Sequence, residues 1–236
     1  MSALATLPMY DWPECRAPLD AFYAKLRALV PELPARLIRP ETEAALHALW
    51  RDPALLLGQS CWGPMQAGLA AHVHVLAQPC YDDVPGGCGI HYRSALVMRG
   101  GTPCPLPDHE GAVLPDHLGG LRVAINAPVS MSGSLALAQD MRAAISAPLI
   151  TGSHRASIRA VAEGRADLAA IDCRCWAMAL AHEPAAAALI VVGWTARRLG
   201  LPYITSRTTP LALRRKLTDA LTRLGAQPHP ELQEIP

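Results

Sequence analysis

Short apolar runs alternate with amphipathic stretches along the whole chain, and that alternation leaves little choice of architecture. A run of four to six apolar residues bounded by turn formers suits a buried strand. An apolar face that recurs every three or four residues needs a sheet or a second helix to cover it. Strands that feed helices in this way build an α/β protein. Leu4 to Met9 is expected as a first strand, followed by a helix with Pro18 in its first turn and Leu19, Phe22, Leu26 and Leu29 on one face. A second helix is expected from Glu41 to Trp50 and a buried strand from Ala54 to Leu57. Gln59, Ser60, Cys61 and Trp62 then occupy a strand-to-helix turn, the kind of place where open α/β sheets hold ligands.

Further along, His72 to Val75 and Tyr92 to Met98 read as strands. Gly100 to Gly120 is rich in Pro, Gly, Asp and His without periodicity, so it reads as a long surface connection. The last helix is expected to take Thr209 as its N-cap and Pro210 as its first residue. Its apolar stripe is Leu213, Leu217, Leu221 and Leu224, with Gly225 as its stop and a frayed tail beyond.

Composition excludes several functional classes. With 236 residues, 51% of them hydrophobic, the chain can bury a substantial core, and a formal charge of +1 offers no broad basic surface for nucleic acid. The longest apolar segments, such as Ala185 to Val192, fall short of the roughly 20 residues that span a bilayer, so no membrane insertion is expected. Seven cysteines follow no zinc-ribbon or CxxC spacing, which suits a reduced compartment. Cys80 and Cys88 would close a small loop only in an oxidising one. The first sixteen residues carry no basic, apolar and small-residue succession of an export signal, and a cytoplasmic location is expected on that ground. His72 and His74 read as polar residues on one face of an edge strand rather than as ligands; no metal and no cofactor are expected.

The candidate site lies between Ser130 and Asp172. An expected strand, Leu121 to Asn126, runs through Ala127-Pro128-Val129 into Ser130-Met131-Ser132-Gly133-Ser134 and then a helix with Ala138, Met141 and Ile145 on one face. A helix start offers backbone N–H groups and the positive end of the helix dipole to an anion, and Gly133 would let a ligand approach the backbone. The pattern recurs at Thr151-Gly152-Ser153-His154, which opens a helix bearing Ile158, Val161 and Ala162 and stopping at Gly164. Arg165-Ala166-Asp167 then leads into a buried strand from Leu168 to Ile171 that ends on Asp172. An ionised carboxylate there repels a bare oxyanion and accepts one that carries a hydroxyl, favouring protonated phosphate, phosphite or phosphonate over sulfate.

These residues, Asn126 with Ser130-Met131-Ser132-Gly133, Thr151 to Ser157, and Val161 to Asp172, resemble the phosphate/phosphonate-type substrate-binding proteins of ABC transporters, within the type II periplasmic-binding-protein fold. The resemblance implies two α/β lobes with a ligand cleft between them, residues 1–99 with 200–236 forming one and 100–199 the other. It implies a small oxyanion-bearing ligand, contacts from Ser130, Ser132, Gly133, His154 and Asp172, and further candidate contacts from Met131 and Ser153 in the same turns. Tyr10, Gln59 and Tyr92 are the matching places of the opposite lobe. An ABC permease is the implied partner, set against the missing export signal. The competing expectation is an enzyme of the same fold, resembling menaquinone-pathway dehydratases, with Asp172 or His154 as acid or base. Against it, the sequence holds no GxSxG, P-loop or HExxH motif. Cys173, Cys175, Trp176 and Trp194 read as packing residues.

Overall fold

A computed structural model describes residues 3–229. It divides into two compact units, one made of the residues up to Cys80 together with those from Gly200 onward, the other running from Tyr81 to Leu199.

The first unit begins with β1 (Leu4–Thr6), α1 (Arg16–Leu29), α2 (Glu43–Arg51), β2 (Leu55–Gln59), α3 (Trp62–Gln66) and β3 (Val73–Ala77). The second contains β4 (His91–Tyr92), β5 (Ser94–Met98), β6 (Val123–Ile125), α4 (Ala136–Met141), β7 (Leu149–Ile150), α5 (His154–Ala162), β8 (Leu168–Asp172), α6 (Cys173–His182), β9 (Ile190–Trp194) and β10 (Arg198–Leu199). The chain then returns to the first unit with β11 (Tyr203–Ser206) and α7 (Leu211–Arg223).

In the first unit the strand order is β1-β2-β11-β3, β1 parallel to β2 and β11 antiparallel to both its neighbours. One layer of core buries Ala5, Leu26, Leu57, Leu76, Leu217 and Leu221, so α1 and α7 lay their apolar stripes on the same face of the sheet. The opposite face holds Trp50, Leu55, Met65, Leu69 and Ile204.

The second unit carries a five-stranded sheet of order β7-β6-β8-β5-β9. β7, β6 and β8 are parallel, whereas β5 runs antiparallel to β8 and β9. The carboxyl ends of β6, β7, β8 and β9 therefore gather at one edge, where β5 begins. Leu96, Val123, Ile125, Leu137 and Leu168 pack its core.

Several sequence expectations change. The boundary between units falls at Cys80, not at residue 99, because β4 and β5 pair within the second unit. Tyr92 to Met98 is not one strand: Tyr92 pairs with Arg198 in a two-stranded ribbon, and Ser94 starts the main sheet. Arg93 between them is buried and donates to the carbonyls of Gly111, Thr195 and His109. The connection after Gly100 is thus clamped in part to the sheet, with Val113 bridging Trp194. His72 ends the turn before β3 and shares no strand with His74.

At α7 the expected cap is absent. Thr209 spends its hydroxyl on Thr205 Oγ1 at 2.7 Å, Pro210 takes the N-cap place, and Leu211 is the first helical residue. Beyond Gly225, Gln227 bridges Gln78 and His229 is buried against Trp62, so the described part of the tail is held in place. The remainder of that expectation, from Pro230 on, lies outside the described residues. No disulfide links described cysteines.

Candidate functional site

At the carboxyl edge of the five-stranded sheet, three helical segments start close together. β6 leads through Asn126 to a wide turn over Met131–Leu135 that continues into α4; β7 leads to α5; β8 leads directly into α6. Ser130 caps the first, its Oγ accepting Gly133 N–H at 3.2 Å. Its carbonyl accepts both Ser134 N–H at 3.2 Å and Leu135 N–H at 3.0 Å, the latter spanning five residues. The turn is therefore wider than an α-helix, a device found often at functional sites.

Ser132 Oγ and His154 Nε2 are hydrogen-bonded at 2.8 Å, which joins the first helix start to the second. Burial pushes His154 down to about 4, opposed in part by the Ala170 backbone, so its imidazole is neutral at physiological pH. Thr151 Oγ1 donates to the carbonyl of Ile125 at 3.0 Å and accepts from Ser157 Oγ at 2.7 Å, fixing the approach to α5.

Ser153 is the α5 N-cap: its Oγ accepts Ala156 N–H at 3.1 Å. Asp172 takes the same part for α6, with one carboxylate oxygen accepting Arg174 N–H at 2.8 Å and Cys175 N–H at 3.2 Å. It is only 1% exposed. The expected Asp172 contact with a ligand hydroxyl has to share this carboxylate with a helix start.

Gly133 is required for a reason the sequence does not show. Its φ is not positive; instead Asn126 Oδ1 would lie 1.8 Å from a Cβ at this position, with His154 Cε1 at 3.2 Å. What comes close to the backbone is the Asn126 amide. That Oδ1 is buried with no hydrogen-bond partner among the described residues.

Ser94, a buried residue at the start of β5, joins the site without being a candidate from sequence. It faces Asp172 across the β5–β8 ladder and its Oγ donates to the Ser132 carbonyl at 2.8 Å. A lone serine in an apolar run offers no signal of such a partner.

The remaining candidates divide between the units. Tyr92 belongs to the same unit as Asp172, not the opposite one, and is 2% exposed, stacked on Tyr81 at 5.6 Å. Arg174 covers the Tyr81 ring at 5.0 Å and pairs with Asp83. Gln59 lies in the first unit, buried, its Nε2 donating to the Leu201 carbonyl at 3.4 Å while Trp50 donates to its backbone carbonyl at 3.1 Å. Tyr10 sits in the turn after β1, partly exposed. Met131 is 4% exposed, which leaves its backbone rather than its side chain for a ligand. Trp176 and Trp194 are buried, and burial pushes the Cys173 thiol up, away from nucleophilic use. Among the described residues no three His, Cys, Asp or Glu side chains are grouped to hold a metal.

Two α/β units, one of them gathering helix starts at a sheet edge, define a two-lobed solute-binding protein of the periplasmic-binding-protein kind. The family model of ABC transporter, phosphonate, periplasmic substrate-binding proteins matches residues 62–235. The chain belongs to this family, one of substrate-binding proteins rather than enzymes. The lyase-like expectation finds no support, and a cytoplasmic location is at odds with the family's periplasmic description. No helix among the described residues is long and apolar enough to cross a membrane.

Solved structures agree on the fold. The chain is similar to PhnD1 of Prochlorococcus marinus in complex with methylphosphonate, at 16% identity and a TM-score of 0.68 over 93% of this chain and 83% of that one. It is similar to the binding-protein component of an ABC phosphonate transporter from Pseudomonas aeruginosa, at 15% identity and 0.63 over 96% and 80%. XAC2383 of Xanthomonas citri bound to ATP follows at 15% identity and 0.62 over 94% and 83%. Among curated proteins, none matches the sequence significantly.

Proposed function

We propose that the protein receives a small phosphonate- or phosphate-type oxyanion at the start of the Met131–Leu135 turn, with Ser130, Ser132, Gly133 and His154 as the contacts. The observation that carries this reading is the Ser132–His154 hydrogen bond, which sets two hydroxyl- or imidazole-bearing helix starts side by side. N–H groups and helix dipoles supply the positive field, while His154 stays neutral. The negative partners nearby, the buried Asp172 carboxylate and Asn126 Oδ1, favour a ligand that brings its own proton. A neighbour of the same fold was solved with methylphosphonate, which makes that compound the natural probe. Membership of an ABC transporter family supports a membrane permease as the partner that takes the ligand on. Met131 and Ser153 are proposed as further contacts through their backbones.

Calorimetry with methylphosphonate, phosphate, phosphite and sulfate tests the reading. Protonatable ligands are expected to bind and sulfate to bind more weakly, with Ser132→Ala and His154→Ala each reducing affinity at least tenfold, the order lost with one or two polar contacts. A parent protein that binds none of the four, or variants that bind as the parent does, would overturn it.

A further inference from the structure

The widened turn that carries Ser132 needs something to keep it wide. In an α-helix the Ala136 N–H would bond the Ser132 carbonyl, four residues back. Here it bonds the Met131 carbonyl instead. The Ser132 carbonyl is thereby passed over by Ala136, in a residue only 3% exposed. An unmade hydrogen bond at a buried carbonyl is costly, and the turn would relieve that cost by slipping to ordinary helical pitch.

The hydroxyl that prevents this comes from another strand. Ser94 Oγ donates to the Ser132 carbonyl at 2.8 Å. Ser94 is itself fixed: Thr195 Oγ1 accepts its N–H at 2.8 Å, its carbonyl accepts Thr195 N–H at 3.0 Å, and it stands opposite Asp172 in the sheet. At 1% exposure it has no access to solvent. We propose that Ser94 is the positioning residue of the ligand turn, holding Met131–Leu135 in its wide form so that Ser132 Oγ meets His154 Nε2. The part of this inference that concerns affinity rests on the oxyanion-receptor reading; the part that concerns the turn does not.

Without the Ser94 hydroxyl, the Ala136 N–H is expected to move from the Met131 carbonyl to the Ser132 carbonyl. That change tightens the turn, rotates Ser132 relative to α5 and breaks its bond to His154. A substitution that merely weakened packing would lower overall stability without choosing those amides or that ring.

The test uses Ser94→Ala, Ser94→Cys, which keeps the size but donates poorly, and Ser94→Thr, which keeps the donor. Three quantities are followed: amide exchange of Leu135 and Ala136 against Ala169 and Ala170 in β8, the 15N shift of His154 Nε2, and methylphosphonate affinity. Ser94→Ala is expected to change the exchange rates of Leu135 and Ala136, whose bonds pass from the Ser130 and Met131 carbonyls to those of Met131 and Ser132, and to leave β8 unchanged. The His154 shift should move toward that of an unbonded ring nitrogen, and methylphosphonate affinity should fall roughly tenfold. Ser94→Thr should restore all three. If Ser94→Ala does not fold, Ser94→Cys is expected to give the same pattern. Unchanged exchange and an unchanged His154 signal in Ser94→Ala or Ser94→Cys would overturn the assignment, as would a Ser94→Thr protein that behaves like Ser94→Ala. A parent protein that ignores methylphosphonate sinks the receptor reading alone, because the exchange and the ring signal still decide the role of Ser94.

Discussion

Asn126 fills the space that a side chain at residue 133 would need: its Oδ1 would lie 1.8 Å and its Cγ 2.8 Å from a Cβ built on Gly133. Asn126 follows β6 and Gly133 lies inside the turn that carries the serines, so the strand end and the turn fix each other. Gly133→Ala is expected to force the Asn126 amide out and to destabilise the protein by about 1–3 kcal/mol, the usual cost of overfilling a packed site. Adding Asn126→Ala to Gly133→Ala should recover most of that loss. Urea unfolding of the two single variants and the double variant checks the coupling, which additivity of the two would disprove.

The pH dependence of stability should carry the signature of His154. Burial lowers it from 6.5 to about 4, so the unfolded chain takes up the proton first. Stability is then fully present above about 6.5, falls as the pH drops toward 4, and changes no further through this group below that. Between pH 7 and pH 5 the loss is about 2 kcal/mol, from the proton bound by the unfolded state alone. His154→Gln should flatten this part of the curve in urea unfolding at the two pH values; a variant with the parent's slope would show that the ring is not held neutral.

Local pattern made much of this site readable, and long-range partners account for the rest. Ser130 and Ser153 could be placed at helix starts because that position is decided within three residues, and each accepts the backbone N–H three residues on. The run from Leu168 into Asp172 is equally local. Ser94 could not be found, because its acceptor lies 38 residues away on another element. Gly133 reads as a place for a ligand when only its lack of a side chain is known, and as a place for Asn126 once the packing is seen. The unit boundary departs from the expected one for a related reason: the apolar run of Ser94 to Met98 says that a strand is buried, not which sheet receives it. Thr209 failed as a cap because a buried partner, Thr205, competes for its hydroxyl.

Glu183 anchors the far side of α5. Its side chain is 4% exposed and meets Arg155 at 2.7 Å and Arg159 at 2.8 Å, both one helical turn apart on α5. Burial would raise its carboxyl, but hydrogen bonds from Arg159 and Arg155 outweigh that and bring it down to about 2. Its contribution to stability is therefore present above about 4.5 and is lost as the pH falls toward 2, a window separate from that of His154. Glu183→Ala is expected to cost about 3 kcal/mol at pH 7, since one partner of a buried ion pair is removed and two guanidinium groups are left without it. Chemical denaturation at pH 7 measures this, and a loss below about 1 kcal/mol, the worth of a surface pair, would show that the cluster is solvated.

Arg142 ends α4 with φ at 53° and ψ at 32°, a left-handed conformation that a side chain adopts at a cost. Glycine is the residue best suited to such a helix end, and Arg142 is exposed, with no hydrogen bond from its side chain to another described residue that would be given up. Arg142→Gly is accordingly expected to raise stability by up to about 1 kcal/mol, the relief of strain being reduced by the greater freedom that glycine gives the unfolded chain. The same substitution at an unstrained helix position would be destabilising, so the sign of the change is the test. Thermal unfolding of Arg142→Gly beside Arg142→Ala separates the two: the glycine variant should melt higher than both the parent and the alanine variant, because alanine keeps the Cβ that makes the conformation costly. Equal melting temperatures for glycine and alanine would mean that α4 does not end in the left-handed conformation at Arg142.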